Sequence, residues 1–263
     1  MQSASFNSEI MKTIFATLSL ACCALPALAQ QAAPQDTDPL QLQDRITGDI
    51  GGGVYRMDRN GLDRSSRTTV LPYAYFDYGR FFARVDTFGV KTARMGYGYL
   101  ELAGRINLEG FDAQGGLQRR SDPIPLGLGT FQETPIGAFF VNVFHDFNKS
   151  HGTLAEAIYA AQLDVGPVSF YPQLGVEYRD SRYNDYFYGV SGQEASSSGL
   201  PAYRAGSSTS PLLGLVADMP ISGNWRLNLT LRRKWLDNSI SDSPIIRRKT
   251  DDLAILALTY RFK

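Results

Sequence analysis

Thiols, imidazoles, indoles and long apolar runs are all scarce in this chain of 263 residues, which holds two Cys, two His and two Trp. Both cysteines, Cys22 and Cys23, lie in one apolar run near the start. Lys12 supplies a positive charge, residues 13–25 are apolar, and Ala27-Leu28-Ala29 before Gln30 is a small-x-small cleavage site. Together these predict a secretory signal peptide over residues 1–29, with Met11 as an alternative start to Met1 because Glu9 stands where the leading segment should be basic. Ser19 three residues before Cys22, and Cys22 itself before Cys23, argue against a lipid anchor. The mature chain then has no thiol, which excludes disulfides, thiolate metal sites and cysteine nucleophiles. Net charge is also lacking: 26 Lys and Arg balance 26 Asp and Glu. That leaves no global field for capturing nucleic acid. Beyond the signal no segment offers the roughly 18 apolar residues of a membrane-spanning helix. The mean hydropathy of −0.20 would by itself describe a soluble chain.

What the chain has is alternation of period two. Residues 30–43, rich in Gln, Pro, Asp and Ala, read as a flexible leader. In residues 168–179, Val168, Phe170, Pro172, Leu174, Val176 and Tyr178 share one face, and Ser169, Tyr171, Gln173, Gly175, Glu177 and Arg179 the other. Leu100, Leu102, Gly104, Ile106 and Leu108 likewise oppose Glu101, Ala103, Arg105 and Asn107. Trp225, Leu227, Leu229 and Leu231 oppose Arg226, Asn228, Thr230 and Arg232, and Leu256, Leu258, Tyr260 and Phe262 oppose Ala257, Thr259 and Arg261.

A soluble sandwich and a membrane barrel both alternate in this way. Three features favour the barrel over residues 44–263. The polar face carries long charged residues (Arg84, Asp86, Glu101, Arg105, Glu177, Arg179, Arg226, Arg232), as a hydrated lumen with paired charges would. Aromatics cluster near strand ends, as in the two girdles of an outer-membrane barrel. Tight turns such as Tyr78-Gly79-Arg80, Gly166-Pro167 and Ser222-Gly223-Asn224 alternate with long connections at 180–208 and 237–252. The expectation is an all-β, antiparallel transmembrane barrel of about ten strands, near 46–57, 66–78, 80–90, 96–108, 132–147, 152–165, 168–182, 209–220, 224–236 and 252–262. Twelve is the alternative, since residues 91–134 could conceal a further hairpin. Leu258, Tyr260 and Phe262 form the aromatic-ended last strand that barrel assembly machinery recognises, with Lys263 following where the aromatic is usually final.

Asn184-Asp185-Tyr186-Phe187-Tyr188-Gly189-Val190-Ser191, then Glu194-Ala195 and Ser198-Gly199-Leu200-Pro201-Ala202-Tyr203, strongly resemble the MipA/OmpV family of outer-membrane proteins. The resemblance continues at Asp242-Ser243-Pro244-Ile245 and Leu258-Thr259-Tyr260-Arg261-Phe262, and more faintly at Leu71-Pro72-Tyr73 with Phe76-Asp77-Tyr78. It implies a barrel in the outer membrane of a Gram-negative bacterium, in contact with lipid and lipopolysaccharide. It also implies a scaffold role joining a murein lytic transglycosylase to a penicillin-binding protein. Read from the residues alone, the motifs are conformational fixtures of the loops: Gly189 permits a sharp bend, Pro244 fixes φ, and residues 193–199 form a short polar turn or helix.

Nothing in the pattern is catalytic. His145 and His151 flank Asp146 and Asn148 at a probable hairpin tip, and no feature orients a base against Ser150. Gly51-Gly52-Gly53 lacks the surroundings of a phosphate loop and reads as a place where the strand curves or is closely packed. The expectation is a non-enzyme without cofactor or metal. A small-solute channel, suggested by the luminal charges, stands as the second reading.

Overall fold

The computed structural model describes residue 42 and residues 44–57 and 66–263. The predicted signal peptide lies outside the described residues, as does the leader apart from residue 42. Thirteen strands follow in chain order: β1 (Thr47–Met57), β2 (Arg67–Tyr78), β3 (Phe81–Arg84), β4 (Thr87–Met95), β5 (Gly98–Arg105), β6 (Leu126–Thr134), β7 (Gly137–His145), β8 (Thr153–Ala160), β9 (Leu163–Val165), β10 (Val168–Arg179), β11 (Ser208–Ser222), β12 (Trp225–Trp235) and β13 (Thr250–Phe262). Two helices, α1 (Ser181–Tyr188) and α2 (Gly192–Ser198), lie between β10 and β11, and α3 (Asn238–Ser241) lies between β12 and β13.

All pairings are antiparallel, and the sheet closes on itself through β1 with β13 and β10 with β11. β8 and β9 pair with successive parts of β10 and form one broken stave, so the barrel has twelve staves. An even count returns both ends of the sheet to one rim. Two-residue turns at 79–80, 96–97, 135–136, 166–167 and 223–224 sit on that rim, and the long connections on the other. This is the asymmetry of outer-membrane barrels.

The two faces separate as alternation requires. Register-matched rows such as Gln173, Gly214, Arg232 and Leu253 point inward, while Leu174, Leu213 and Leu231 point outward. Trp225 and Trp235 mark the two ends of the apolar belt on β12. Ten residues at about 3.3 Å, tilted by about 40°, give a belt roughly 25 Å high, the height of the apolar band of such barrels.

The twelve-strand alternative is therefore the one observed. The segment expected as a single strand at 80–90 is two strands, β3 and β4, meeting at Val85-Asp86. Asp86, expected on the inner face of a strand, sits in that turn, although its carboxylate still reaches the lumen. The segment expected at 132–147 is likewise two strands parted by Pro135-Ile136, with β6 beginning at Leu126 inside the Gly-rich and Pro-rich region. Within the Gly51-Gly52-Gly53 run of β1, Gly51 is held by the closest packing of backbone on backbone, since a Cβ there would overlap the Leu258 carbonyl on β13, whereas nothing lies within 4 Å of one on Gly52.

Candidate functional site

The loop end of the barrel is sealed. Asp180 ends β10 and caps α1, its side chain accepting the Tyr183 N–H at 2.8 Å. The amphipathic turn then points Tyr183, Asn184, Phe187 and Tyr188 into the mouth, where they join Phe144 and Leu154 from the walls and Ile240, Ile245 and Ile246 from the β12–β13 connection in one buried cluster. Gly189 follows in extended conformation, and a Cβ there would overlap the Asp185 carbonyl. Val190 and Tyr203 bridge the two arms of the loop. Ser191 and Glu194 form a reciprocal capping box at the start of α2, and Gly199 ends that helix in the left-handed region at φ +74. Leu200, Tyr186 and Tyr203 pack against the cluster, and the Tyr203 hydroxyl donates to the Ser239 carbonyl at 3.0 Å. Ser243 donates to the Tyr188 carbonyl, Pro244 lies partly buried beside it, and Asp242 is exposed as the C-cap of α3. The motif residues thus meet in the cap, although they come from two loops.

Glu194 clamps the cap to the long β5–β6 connection. Its carboxylate accepts from Arg120 Nη2 at 2.8 Å and from the Gln118 N–H at 3.0 Å, while Arg120 Nε donates to the Tyr186 carbonyl. Burial pushes this carboxyl up, but the hydrogen bonds from Ser191, Gln118 and Arg120 outweigh it and hold its pKa down to about 2. Burial and the Glu109 charge push the Tyr188 phenol up against the opposing effect of Arg179. Gln118, Arg120 and Ser121, whose N–H donates to the Tyr186 hydroxyl, carried no sequence signal, because each depends on a partner more than 60 residues away.

Below the cap the lumen is a ladder of charges. Arg179 binds both Glu109 and Glu177, and Lys234 ties Glu177 (2.9 Å) to Asp251 (3.4 Å). Arg105 joins Glu156 at 2.7 Å and Asp86 at 3.1 Å. Arg84 joins Glu101 at 3.1 Å, and Lys91 joins Asp77 at 3.0 Å. At the turn rim Asp218 bridges Arg226 and Arg261, and Arg261 also reaches Asp49. Of the predicted luminal charges, Arg232 alone has no ion pair among the described residues, and its Nε is buried without a hydrogen-bond partner. A cavity of about 990 Å³ occupies the lumen between this ladder and the turn rim. None of its described lining residues comes from α1, α2 or α3, so it ends beneath the cap.

The remaining candidates lie apart. His145 points outward, with Nδ1 3.0 Å from the Thr153 hydroxyl and its ring against Phe147. His151 is exposed at φ +52. Asp146 between them ties its own loop. Burial raises its carboxyl, but donors from Ser150, Asn148 and Lys149 hold it below the usual range. No cluster of three or more metal-ligating side chains occurs among the described residues. Leu258, Tyr260 and Phe262 all face outward on β13, where Tyr260 meets Trp225 edge-on at 5.5 Å.

A family model described as MltA-interacting protein MipA matches residues 50–262. YiaT of Escherichia coli (strain K12), designated an outer membrane protein, is 27% identical over 222 residues, covering 81% of this chain and 90% of that one. The MltA-interacting protein of the same strain is 29% identical over 147 residues, 56% of this chain and 59% of its own length. Outer membrane protein Omp26La of Vibrio anguillarum is 30% identical over 148 residues, 56% of this chain and 57% of its own. Among solved structures, the outer membrane channel DcaP of Acinetobacter baumannii aligns with a TM-score of 0.28 and 8% identity, over 83% of this chain and 96% of that one. At that score it adds nothing to the barrel seen directly.

Proposed function

Because the chain belongs to the MipA family, we propose that this outer-membrane β-barrel is a docking platform that holds a murein lytic transglycosylase, and through it a murein-synthesising penicillin-binding protein, at the inner surface of the outer membrane. One of the relatives is named for interaction with MltA, which motivates the hydrolase half of this reading. The observation that carries it here is β9. Among the described residues this strand pairs only with β10, which leaves its other edge open at the turn rim, the periplasmic side of such a barrel. Leu163 and Val165 on it are 56% and 64% exposed. An open strand edge flanked by apolar side chains is a template for strand addition by a partner, with main-chain hydrogen bonds giving affinity and the side chains giving selectivity.

The test is co-elution of the refolded chain with a purified lytic transglycosylase. Retention by the unaltered chain, lost on Leu163→Asp with Val165→Asp while heat-modifiable migration is kept, is the expected result. Equal retention by the double variant would remove β9 from the interface, and no retention by either would remove the platform reading. The alternative, a small-solute channel, is favoured by the charge-lined cavity. The apolar cap above that cavity weighs against it, and a steady single-channel conductance in planar bilayers would reverse the order of the two readings.

A further inference from the structure

The wall of this barrel is uneven in height. β3 has four residues, whereas β2 beside it has twelve and β5 has eight. At about 3.3 Å per residue, β3 spans roughly 13 Å along its axis. Only Tyr75–Tyr78 of β2 pair with it, so residues 67–73 of β2 have no partner strand on that side. Across the gap, Ile106 continues β5 by donating its N–H to the Asp86 carbonyl at 2.8 Å. Above the sill formed by Val85-Asp86 the wall built by the described residues therefore stands open between β2 and residues 106–108, in the half of the belt nearer the loop end. The cavity passes through it: Phe88 and Ile106 from the outer face line the same space as Tyr55 and Thr87 from the inner face.

The edge of this opening is finished rather than frayed. The Val85 N–H donates to the Ala74 carbonyl at 2.8 Å, which places the Ala74 polar groups on the open side, and alternation puts those of Pro72 there too. Proline brings no N–H to leave unpaired, and its carbonyl accepts the Tyr55 hydroxyl at 3.1 Å. Val85 itself holds φ +60, a left-handed conformation that a β-branched residue seldom adopts. Its side chain packs, with Met57, Leu71 and Leu253, against a buried cluster of Tyr55, Tyr73, Ile255 and Ala257. An apolar stripe thus runs along the inner wall from the opening. Leu253, at its far end, is the register partner of Arg232, the luminal cation that has no ion pair among the described residues. Asp86 is within electrostatic range of Arg232, but its carboxylate is already held by Arg105 and by the Thr87 hydroxyl.

We propose that this opening is a lateral window through which a single-chain anionic amphiphile of the long-chain carboxylate class enters the cavity from the outer leaflet, its tail on the apolar stripe and its head on Arg232. The tail exchanges one apolar environment for another, so selection falls on the head. An anion drawn into the wall without a counter-charge would be costly, and Arg232 is the cation with donors to spare. The reading is independent of the platform at the opposite rim.

The test uses the full refolded chain in phosphatidylcholine vesicles, with a palmitate analogue carrying a chain-end diazirine and the matching neutral alcohol as probes. The carboxylate is expected to label the luminal residues Leu71, Met57 and Leu253. Arg232→Gln should cut that labelling about tenfold and Arg232→Lys should retain most of it, while the alcohol labels them weakly in every variant. Heat-modifiable migration of each variant confirms the barrel. Labelling confined to outward residues such as Val70 and Leu102, or equal for acid and alcohol, or unmoved by Arg232→Gln, would overturn the proposal. Narrowing the gap with Leu71→Trp and Ile106→Trp should slow labelling by probe already in the membrane. Unslowed entry would show that the route is the periplasmic mouth and sink the window.

Discussion

Ser243 and Tyr188 are 55 residues apart in sequence, yet the Ser243 hydroxyl donates to the Tyr188 carbonyl at 2.5 Å with both residues buried in the cap. Two loops that leave different strands meet there in a hydrogen bond inside an apolar cluster, next to the bond from Tyr203 to Ser239. Ser243→Ala would leave that carbonyl without its donor, at a cost of about 1–3 kcal/mol. The expected outcome is faster proteolytic nicking within residues 180–207 with the barrel itself still heat-modifiable. Nicking at the unaltered rate would mean the cap does not depend on this joint.

Glu194 makes the cap sensitive to acid. Its carboxyl is held at about 2 in the folded chain against an ordinary value near 4.5, so the unfolded loop binds the proton more tightly. Its contribution is fully present above about pH 4.5 and is lost as pH falls through about 2. Pepsin digestion between those values should open the cap of the unaltered chain progressively. Glu194→Gln should weaken the cap at neutral pH and flatten the pH dependence, and a parallel dependence in both chains would contradict this assignment.

Arg105 stands between two carboxylates, Glu156 and Asp86, with its own side chain buried. Arg105→Met removes the shared cation and leaves both anions uncompensated, for which a loss of about 3–5 kcal/mol in urea unfolding is expected. Adding Glu156→Gln should recover part of it. A single-variant loss under about 1 kcal/mol would show that water already screens the pair.

Gly51 and Gly52 should respond in opposite ways. Gly51→Ala drives a methyl group into the β13 backbone at the closing seam, and its refolding yield is expected to fall severalfold. Gly52→Ala meets open space and should refold as the unaltered chain does. Equal yields for the pair would contradict the packing of the seam.

The faces of β10, β12 and β13 were legible because their charges fall on the luminal side, apart from the outward pair Arg233 and Asp252 at the loop end. The break at Val85-Asp86 was not, since Asp86 is a single turn former without Gly or Pro beside it and the run from Phe81 to Phe88 alternates as a single strand would. Pro135 and Gly137 did mark the break between β6 and β7, inside a segment whose aromatic run reads as continuous strand. The motif blocks marked which loops matter, but the clamp of Arg120 on Glu194 and the isolation of Arg232 depend on partners brought from elsewhere in the barrel. Pair by pair, alternation assigns a residue to the lumen without saying whether its counter-charge will be there.

Asp49 and Arg261, joined by two hydrogen bonds across a separation of 212 residues, latch the first strand to the last. In a chain made from its N-terminal end, β1 must keep one edge unsatisfied until β13 is available. The seam therefore closes last, and every earlier moment is one in which an open apolar sheet needs a holder. For this protein the wall cannot close on any shorter length of chain than the whole sheet.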